Sequence, residues 1–274
     1  MHIRKFARPV LAAASLIASA GMAHAQGWNG FYVGGQVGSG QLSGGDGEFV
    51  GFDKNLDGAF TDTVTTAAGA NAFSPGFCAG ASVTNTPAGG CVGDDDAVDG
   101  GLRLGYDWQS GGLVLGATGE FAWLSLADSV TAFSTTPASY TFTRELNTLA
   151  TLGLRAGYGG GRFLLYGAGA FARGDLDRSF ATSNRVNTFV PTEAEDVWGW
   201  QAGGGVEYRV AAGVRVGAQY QYTRLDDKTR YTVRSQGPAP ATNPFILTNP
   251  AGTDLRRSDD FDFQAVRFTA SYRF

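Results

Sequence analysis

The sequence predicts an all-β fold: an eight-stranded antiparallel up-and-down transmembrane β-barrel with short turns at one end and four long loops at the other. Three observations favour this fold class. The last segment, 261–274, alternates apolar and polar residues. A hairpin-like unit recurs about every 50 residues. No apolar run after residue 25 approaches the roughly 20 residues that a membrane-spanning helix requires.

The closing segment carries the clearest strand pattern. From Val266 onward, even positions are apolar or aromatic and odd positions are polar. A period of two over this length indicates a strand with one apolar and one polar face. The chain ends on an aromatic residue. We expect the outward residues Phe268, Tyr272 and Phe274 to form the C-terminal signal that the barrel assembly machinery recognises.

The middle of the chain contains an internal repeat. Each unit has a tyrosine before a glycine-containing turn and then an apolar-rich strand with a Gly-Ala pair; the tyrosines are Tyr106, Tyr158 and Tyr208, spaced 52 and 50 residues apart. Repetition at a fixed period is architectural evidence. Each unit is predicted to be a hairpin. In the strand 163–172 both faces are apolar, and alignment of the repeats places Leu164, Tyr166, Ala168 and Ala170 outward.

Three hairpins, a first strand at 30–38 and the closing strand give eight strands. An even, antiparallel set closes into a barrel and leaves no unpaired edge in lipid. Short periplasmic turns are predicted near 110–112, 159–161 and 211–213. Long extracellular loops are predicted at about 39–97, 125–140, 174–195 and 225–260.

Residues 1–25 are predicted to be a cleaved signal peptide. Three basic residues precede a short apolar run at 10–20, and Ala23 and Ala25 suit a signal-peptidase site. The run is too short to be a retained membrane helix. The mature chain, 26–274, is then a single barrel domain outside the cytoplasm.

Composition limits the classes of partner. The chain has 21 basic and 25 acidic residues, and loss of the three basic residues of the leader changes the net charge from −4 to −7. An acidic chain argues against nucleic-acid binding, which relies on basic patches. The 41 glycines and 12% aromatic residues suit a barrel.

Charged residues of both signs fall on the inward face of the predicted strands. The interior of an eight-stranded barrel is just wide enough to be filled by side chains, and an unpaired buried charge is costly. We therefore expect an ion-pair network across the lumen, with a structural role favoured over an ion pathway or catalysis. Its predicted members are Arg103, Glu120, Arg155, Glu207, Arg215 and Arg267.

The long first loop contains two candidate sites. Cys78 and Cys91, the two cysteines of the chain, are expected to form a disulfide in an oxidising compartment. Asp53, Asn55 and Asp57 match the first half of a calcium-binding EF-hand loop. Position 12 of that motif is a valine, so a plain acidic turn is the favoured alternative to calcium. No other cofactor is expected.

Several stretches together resemble a known family. They are WNGFYVGGQVG from Trp28, FDKNLDGAFTDTV from Phe52, FSPGFC from Phe73, the repeat-bearing strands and the closing VRFTASYRF. These are similar to the small porin-like surface-antigen barrels of Gram-negative, especially alphaproteobacterial, outer membranes. The resemblance spans most of the mature chain.

The resemblance implies an eight-stranded barrel akin to the transmembrane domain of outer-membrane protein A, without its periplasmic peptidoglycan-binding domain. Family members are described as abundant surface proteins with roles in envelope integrity, host contact and, in some, haem binding. This chain has Gln219 where the family often has glutamate in the penultimate strand. That difference alters the predicted lumen network but leaves the fold intact.

These observations predict a non-enzymatic structural and surface-interaction protein of the Gram-negative outer membrane. Its expected partners are outer-membrane lipid and lipopolysaccharide, the barrel assembly machinery and an unknown extracellular molecule bound by the loops. A narrow channel for small solutes or ions is the alternative, and surface capture of a ligand such as haem is a further one. Both histidines, His2 and His24, lie in the leader, which argues against His-based catalysis and His-ligated haem.

Overall fold

The computed structural model describes residues 27–43, 47–94, 96–192 and 196–274. Within these ranges the chain is β-structure and irregular connections, with one short 3₁₀ helix at Pro87–Gly89. None of the helical structure in the described part is long and apolar enough to cross a membrane. The predicted signal peptide, 1–25, lies outside the described residues.

Eight strands form a closed ring. They are β1 (Gly30–Leu42), β2 (Ala97–Ser110), β3 (Leu113–Ser134), β4 (Ala138–Gly160), β5 (Phe163–Thr182), β6 (Val197–Arg209), β7 (Val214–Leu225) and β8 (Phe261–Arg273). Each strand pairs antiparallel with its neighbours in sequence, and β8 pairs with β1. The predicted all-β, eight-stranded up-and-down barrel is confirmed.

One end of the barrel has short turns. Gly111–Gly112 joins β2 to β3, residues 161–162 join β4 to β5, and 210–213 join β6 to β7. Gly111 and Gly161 have φ angles of +60° and +55°. A positive φ at the first central position is typical of the type II′ turn, whose twist matches that of paired strands.

At the other end, the strands continue far beyond a membrane. A tilted transmembrane strand needs about 9–11 residues, whereas β3 and β4 have 22 and 23. The bounds of the long loops expected at 125–140 and 174–195 are therefore wrong: residues 125–134, 138–140 and 174–182 are strand, and a turn at 135–137 joins the first two. Cross-strand pairing of polar and aromatic residues, such as Tyr140 with Thr182, stabilises this extension.

The two faces of each barrel strand differ as the alternation predicts. Outward residues such as Trp108, Leu152 and Tyr158 are exposed, whereas the charged residues between them are buried. Outward placement of Leu164, Tyr166, Ala168 and Ala170 is wrong. The register pairs Tyr158 with Leu165, and directly paired residues share a face, so Leu165 is exposed and Leu164 is fully buried.

The long-loop end carries a second, smaller sheet, which we call the head. Its four antiparallel strands come from three different loops: Thr188–Pro191, Val233–Gln236, Thr253–Arg257 and Val50–Asp53, in that order. Buried aromatic residues including Phe52, Phe73, Tyr140, Phe142 and Phe245 pack beneath and beside it. The loops therefore have their own hydrophobic core, continuous with the extended barrel wall.

Candidate functional site

The lumen near the short-turn end is filled by buried charges, which we call the lumen network. Its four arginines and four carboxylates balance one another: Arg103, Arg155, Arg215 and Arg267 with Asp99, Asp107, Glu120 and Glu207. All eight are less than a tenth exposed. Equal numbers of opposite charges satisfy the requirement that buried ions be paired.

Asp107 and Glu207 are the central acceptors of the network. The Arg155 guanidinium donates to Asp107 Oδ2 at 2.6 Å and to Glu207 Oε1 at 2.7 Å. Arg215 Nη1 donates to Asp107 Oδ2 at 2.8 Å. Arg103 is held more loosely, 3.5 Å from Glu207 and 3.7 Å from Glu120. The six residues that alternation predicts thus all face the lumen.

Two members of the lumen network are missing from the predicted set. Asp107 lies on the inward face of β2, opposite Gly116, and Asp99 lies near the start of the same strand. Asp99 accepts a 2.8 Å hydrogen bond from Arg267 Nε. Every second residue of β2 faces inward, and Asp99 and Asp107 are each four positions from the inward Arg103. The alternation in the sequence therefore predicts that both face the lumen.

A layer of apolar side chains, which we call the apolar layer, crosses the lumen beyond this network. It includes Leu124, Leu126, Leu146, Leu225 and Phe263, and every barrel strand contributes to it. The packing is tight: a Cβ placed on Gly174 would lie 2.7 Å from Leu225 Cδ1. Because apolar side chains from all eight strands pack together here, the layer separates the lumen network from the long-loop end.

Trp28 closes the short-turn end. Its side chain is almost fully buried and packs against Val114, Leu164 and Tyr166. The guanidinium of Arg215 lies 5.0 Å from the centre of its ring, a distance suited to a cation–π interaction. The lumen is therefore blocked both at this end and at the apolar layer.

A second group of charges joins the head to the barrel wall. Arg257 of the head donates from Nη2 to Glu48, Asp128 and Asp259 at 2.9, 3.0 and 3.1 Å. Glu48 belongs to the first loop and Asp128 to β3, so we call this set the clamp. Arg144 of β4 strengthens it by donating to Asp128 at 2.8 Å.

The carboxylate oxygens of Glu48, Asp128 and Asp259 lie within 4.8 Å of one another, an arrangement that resembles a metal site. The Arg257 guanidinium lies among all three and supplies the positive charge that a metal ion would bring. We therefore assign these carboxylates to the clamp.

Burial and neighbouring charges shift the pKa values of carboxyl groups in and beside the clamp. It raises the pKa of Glu48 to about 7, and the nearby Asp128 carboxylate adds to the effect while Arg257 opposes it. Burial and Asp128 likewise raise the pKa of Asp94 to about 6. Asp259 differs: although burial opposes ionisation, Arg144 and Arg257 hold its pKa below the usual value.

A cavity of about 500 Å³ opens beside the clamp, between the head and the barrel rim. Its walls carry charges of both signs, including Glu48, Asp262, Arg224 and Lys228. Arg224 and Lys228 both approach Asp260, at 2.7 and 3.7 Å, yet their side chains remain 40% and 53% exposed. Cationic groups are thus fixed at the entrance and still accessible.

The predicted calcium residues form a compact acidic turn. Asp53 Oδ1 accepts from the Leu56 amide at 2.6 Å, and Oδ2 accepts from the Gly58 amide at 2.7 Å. Asp57 accepts from the Ala59 amide at 2.8 Å and from Asn55 Nδ2 at 2.9 Å. Such local bonds are typical of Asp and Asn in turns. Calcium binding by Asp53, Asn55 and Asp57 stays a prediction that calorimetric titration tests.

Cys78 and Cys91 form a disulfide across the first loop. Cys78 lies in the strand Gly76–Ala79, which pairs with the extension of β3. The bond therefore fastens the tip of the loop to the barrel wall.

The closing strand β8 pairs on both sides. Phe268 is opposite Val37 of β1 and Ala218 of β7. Phe268, Tyr272 and Phe274 are exposed on the outer face, and the Phe274 ring lies 5.3 Å from Tyr272 and 6.0 Å from Phe31. Their proposed role as the assembly signal stays a prediction.

The closed ring, the outward apolar face and the filled lumen define a membrane-spanning β-barrel of the outer-membrane class. The model of the family "Outer membrane protein beta-barrel domain" matches residues 10–274. The chain belongs to this family, and it is a protein of the Gram-negative outer membrane. The short turns accordingly face the periplasm and the head faces outward. Alphaproteobacterial origin stays a prediction.

The chain is similar to several solved structures, of which OprG shares the fold. Outer membrane protein OprG from Pseudomonas aeruginosa is 15% identical with a TM-score of 0.51, over 92% of this chain and 100% of OprG. Ail of Yersinia pestis, the attachment invasion locus protein, is 11% identical with a TM-score of 0.33, over 90% and 99%. The protease OmpT from Escherichia coli is 10% identical with a TM-score of 0.41, over 90% and 97%. No curated protein sequence matches the chain.

Proposed function

We propose that this protein is a closed, non-enzymatic outer-membrane barrel that holds an ordered head at the cell surface, where the head binds an extracellular molecule. It also contributes to envelope integrity. The observation that carries the proposal is the joining of three loops into one four-stranded sheet. A rigid scaffold that positions loops is the usual basis of a recognition surface.

The cavity beside the clamp supports recognition by the head. Its volume lies within the range of about 300–1,000 Å³ typical of ligand pockets. Arg224 and Lys228 at its entrance favour a partner with anionic groups, while the carboxylates deeper in the wall favour accompanying polar or cationic groups. A partner with charges of both signs fits this lining.

The filled lumen favours this role over that of a narrow channel. Ions that cross the barrel would have to pass the tightly packed apolar layer, where desolvation is costly. Residues 26–274 contain no histidine. That composition supports a non-enzymatic role over Ser/His or His/Asp hydrolysis, and over His-ligated haem capture.

The test is an array screen of glycans and extracellular proteins with the refolded barrel. One variant lacks the loop tip 83–90, and a second carries Arg224→Gln and Lys228→Gln. Ala211→Ser, in a periplasmic turn, is the control. We expect at least one of these two variants, in the first-loop tip or at the cavity entrance, to lose tenfold or more of the binding that wild type and control share. Equal binding by all four proteins, or no ligand for the folded wild type, would contradict the proposal.

A further inference from the structure

The periplasmic end of the barrel is strongly basic although the whole chain is acidic. The three periplasmic turns and the strand ends beside them comprise residues 27–32, 108–115, 158–164, 208–215 and 270–274. They contain four arginines and no aspartate or glutamate: Arg162, Arg209, Arg215 and Arg273. The nearest inward carboxylates, Asp107 and Glu207, pair with Arg155 and Arg215, so the charge of Arg215 is compensated and Arg162, Arg209 and Arg273 are the basic excess.

Neutral backbone oxygens hold two of these arginines, Arg209 and Arg273, in place. Arg209 donates to the carbonyl oxygens of Gly27, at 3.3 Å, and of Gly161. Arg273 donates to the same Gly27 oxygen at 2.5 Å. Two guanidinium groups thus converge on one carbonyl. A carbonyl oxygen orients a guanidinium without cancelling its charge, so the local potential at this end stays positive.

Arg162 lies at the level of an aromatic girdle on the outer face of the barrel. Arg162 Nη1 donates to Tyr208 Oη at 3.4 Å, and the Tyr208 ring lies 4.8 Å from that of Phe163. Aromatic rings of this kind mark the interface between lipid tails and headgroups. Arg162 is exposed at headgroup depth. Arg209 pairs with the inward Arg215 and lies 5.4 Å from the Trp28 ring, so its partly exposed guanidinium stands at the adjacent mouth of the lumen.

We propose that Arg162, with the added positive charge of Arg209 and Arg273 at the adjacent mouth of the lumen, forms a site for the phosphate headgroup of an anionic phospholipid in the periplasmic leaflet. Guanidinium groups bind phosphate oxygens through paired, charge-assisted hydrogen bonds. The girdle favours a lipid over a soluble anion, because it places the acyl chains of the same molecule against the apolar outer wall. This site is independent of the head and its partner.

The experiment reconstitutes the full mature chain in nanodiscs that contain phosphatidylcholine and phosphatidylglycerol in equal amounts. Native mass spectrometry then counts the lipids of each kind that stay bound. Wild type should retain phosphatidylglycerol in preference to phosphatidylcholine. The double variant Arg162→Gln, Arg209→Gln should lose this preference by about 30-fold, about fivefold for each basic residue at a charged interface. A gel-mobility shift on heating verifies that each barrel is folded.

The matched control removes two positive charges from the head, Lys54→Gln and Arg185→Gln, and should keep the preference. Three results would overturn the proposal: no preference in wild type, an equal preference in the folded double variant, or an equal loss in the control. A second arm adds soluble peptidoglycan fragments. Fragments that bind through Arg162 and Arg209 in the absence of any phosphatidylglycerol preference would assign the site to the cell wall instead.

Discussion

Asp107 shows how a single residue organises the interior of a narrow barrel. Its two carboxylate oxygens receive three bonds from Arg155 and Arg215, at 2.6 to 2.8 Å, and the residue is fully buried. Both arginines also lie over the Tyr32 ring, at 4.8 and 5.3 Å. One carboxylate thus compensates two buried cations, and the cations in turn orient an aromatic side chain.

Replacing Asp107 by asparagine should therefore destabilise the barrel strongly. The change keeps the shape of the side chain but leaves two buried guanidinium groups short of a negative partner, at a cost of about 3–5 kcal/mol in the free energy of unfolding. Urea unfolding in lipid vesicles measures this cost. The control Asp226→Asn, at an exposed head residue, should change stability by less than about 0.5 kcal/mol. Equal effects would show that the lumen network is not required for stability.

The raised pKa of Glu48 predicts that the stability of the clamp depends on pH. Its pKa is raised from 4.5 to about 7 in the folded protein, so the folded state holds this proton more tightly than the unfolded chain does. The Glu48 contribution to stability is therefore greatest below about pH 4.5 and is lost as the pH rises towards 7. The protection factors of the amides at 47–53, which correct for the intrinsic pH dependence of exchange, should fall as the pH rises from 4.5 to 7. They should fall less in Glu48→Gln. The same fall in that variant would assign the effect to another group.

At the scale of elements, the barrel combines short strands with long ones. β7 has 12 residues and ends near the membrane surface, whereas β3, β4 and β5 have 20 to 23 and support the head. Irregular pairing between Trp123 and Leu126, and between Leu146 and Thr148, marks the level of the apolar layer. Bulges bend a strand and increase its twist, which suits the change from barrel wall to extension.

The sequence predicts the membrane-spanning strands well because each has one lipid-facing and one lumen-facing side, so alternation is strong from Val214 to Tyr222. It fails for the extensions, since residues such as Val130, Thr131 and Ala132 are buried on both faces by the loops and show no alternation. The strands of the head are not predicted by sequence patterns either. Its strands have four or five residues and pair across three loops. The clamp depends on this pairing, because Arg257 lies in one of these strands. The sequence therefore does not predict the clamp either.

The disulfide stabilises one element of the first loop. Cys78 and Cys91 are 13 residues apart, and a loop of this size is stabilised by about 3 kcal/mol when closed. Cys78→Ser with Cys91→Ser should make the segment 76–92 sensitive to proteolysis and leave the barrel folded. Val83→Ser, at an exposed position of the same loop, serves as control. Resistance equal to that of wild type would mean that pairing with β3 alone fixes the loop.

Deletion of Phe274 tests the closing strand. Its amide donates to the Phe31 carbonyl at 2.9 Å, so the residue helps to close β8 against β1 as well as ending the predicted assembly signal. We expect severalfold less heat-modifiable barrel in the outer membrane. Phe171→Ala, which removes another exposed outward ring, should insert normally. Equal insertion of the deletion variant would remove any special role of the last residue.

At the scale of the whole molecule, the interior is a sequence of layers along the barrel axis. Trp28 closes the periplasmic end, the lumen network and the apolar layer follow, and the clamp and head complete the outer end. Ion pairs dominate the lumen network and the clamp, and apolar packing dominates the layers between and above them. The barrel wall and the head thus share one continuous interior, which is the property expected of a rigid surface platform rather than a pore.

Single-channel recording in planar lipid bilayers tests this account most directly. The apolar layer predicts no reproducible conductance steps for the folded wild-type protein, at either polarity and in high salt. Wild-type steps of constant size that change when the lumen network is altered, for example by Arg215→Gln in a barrel shown to be folded, would contradict the account. They would establish a channel.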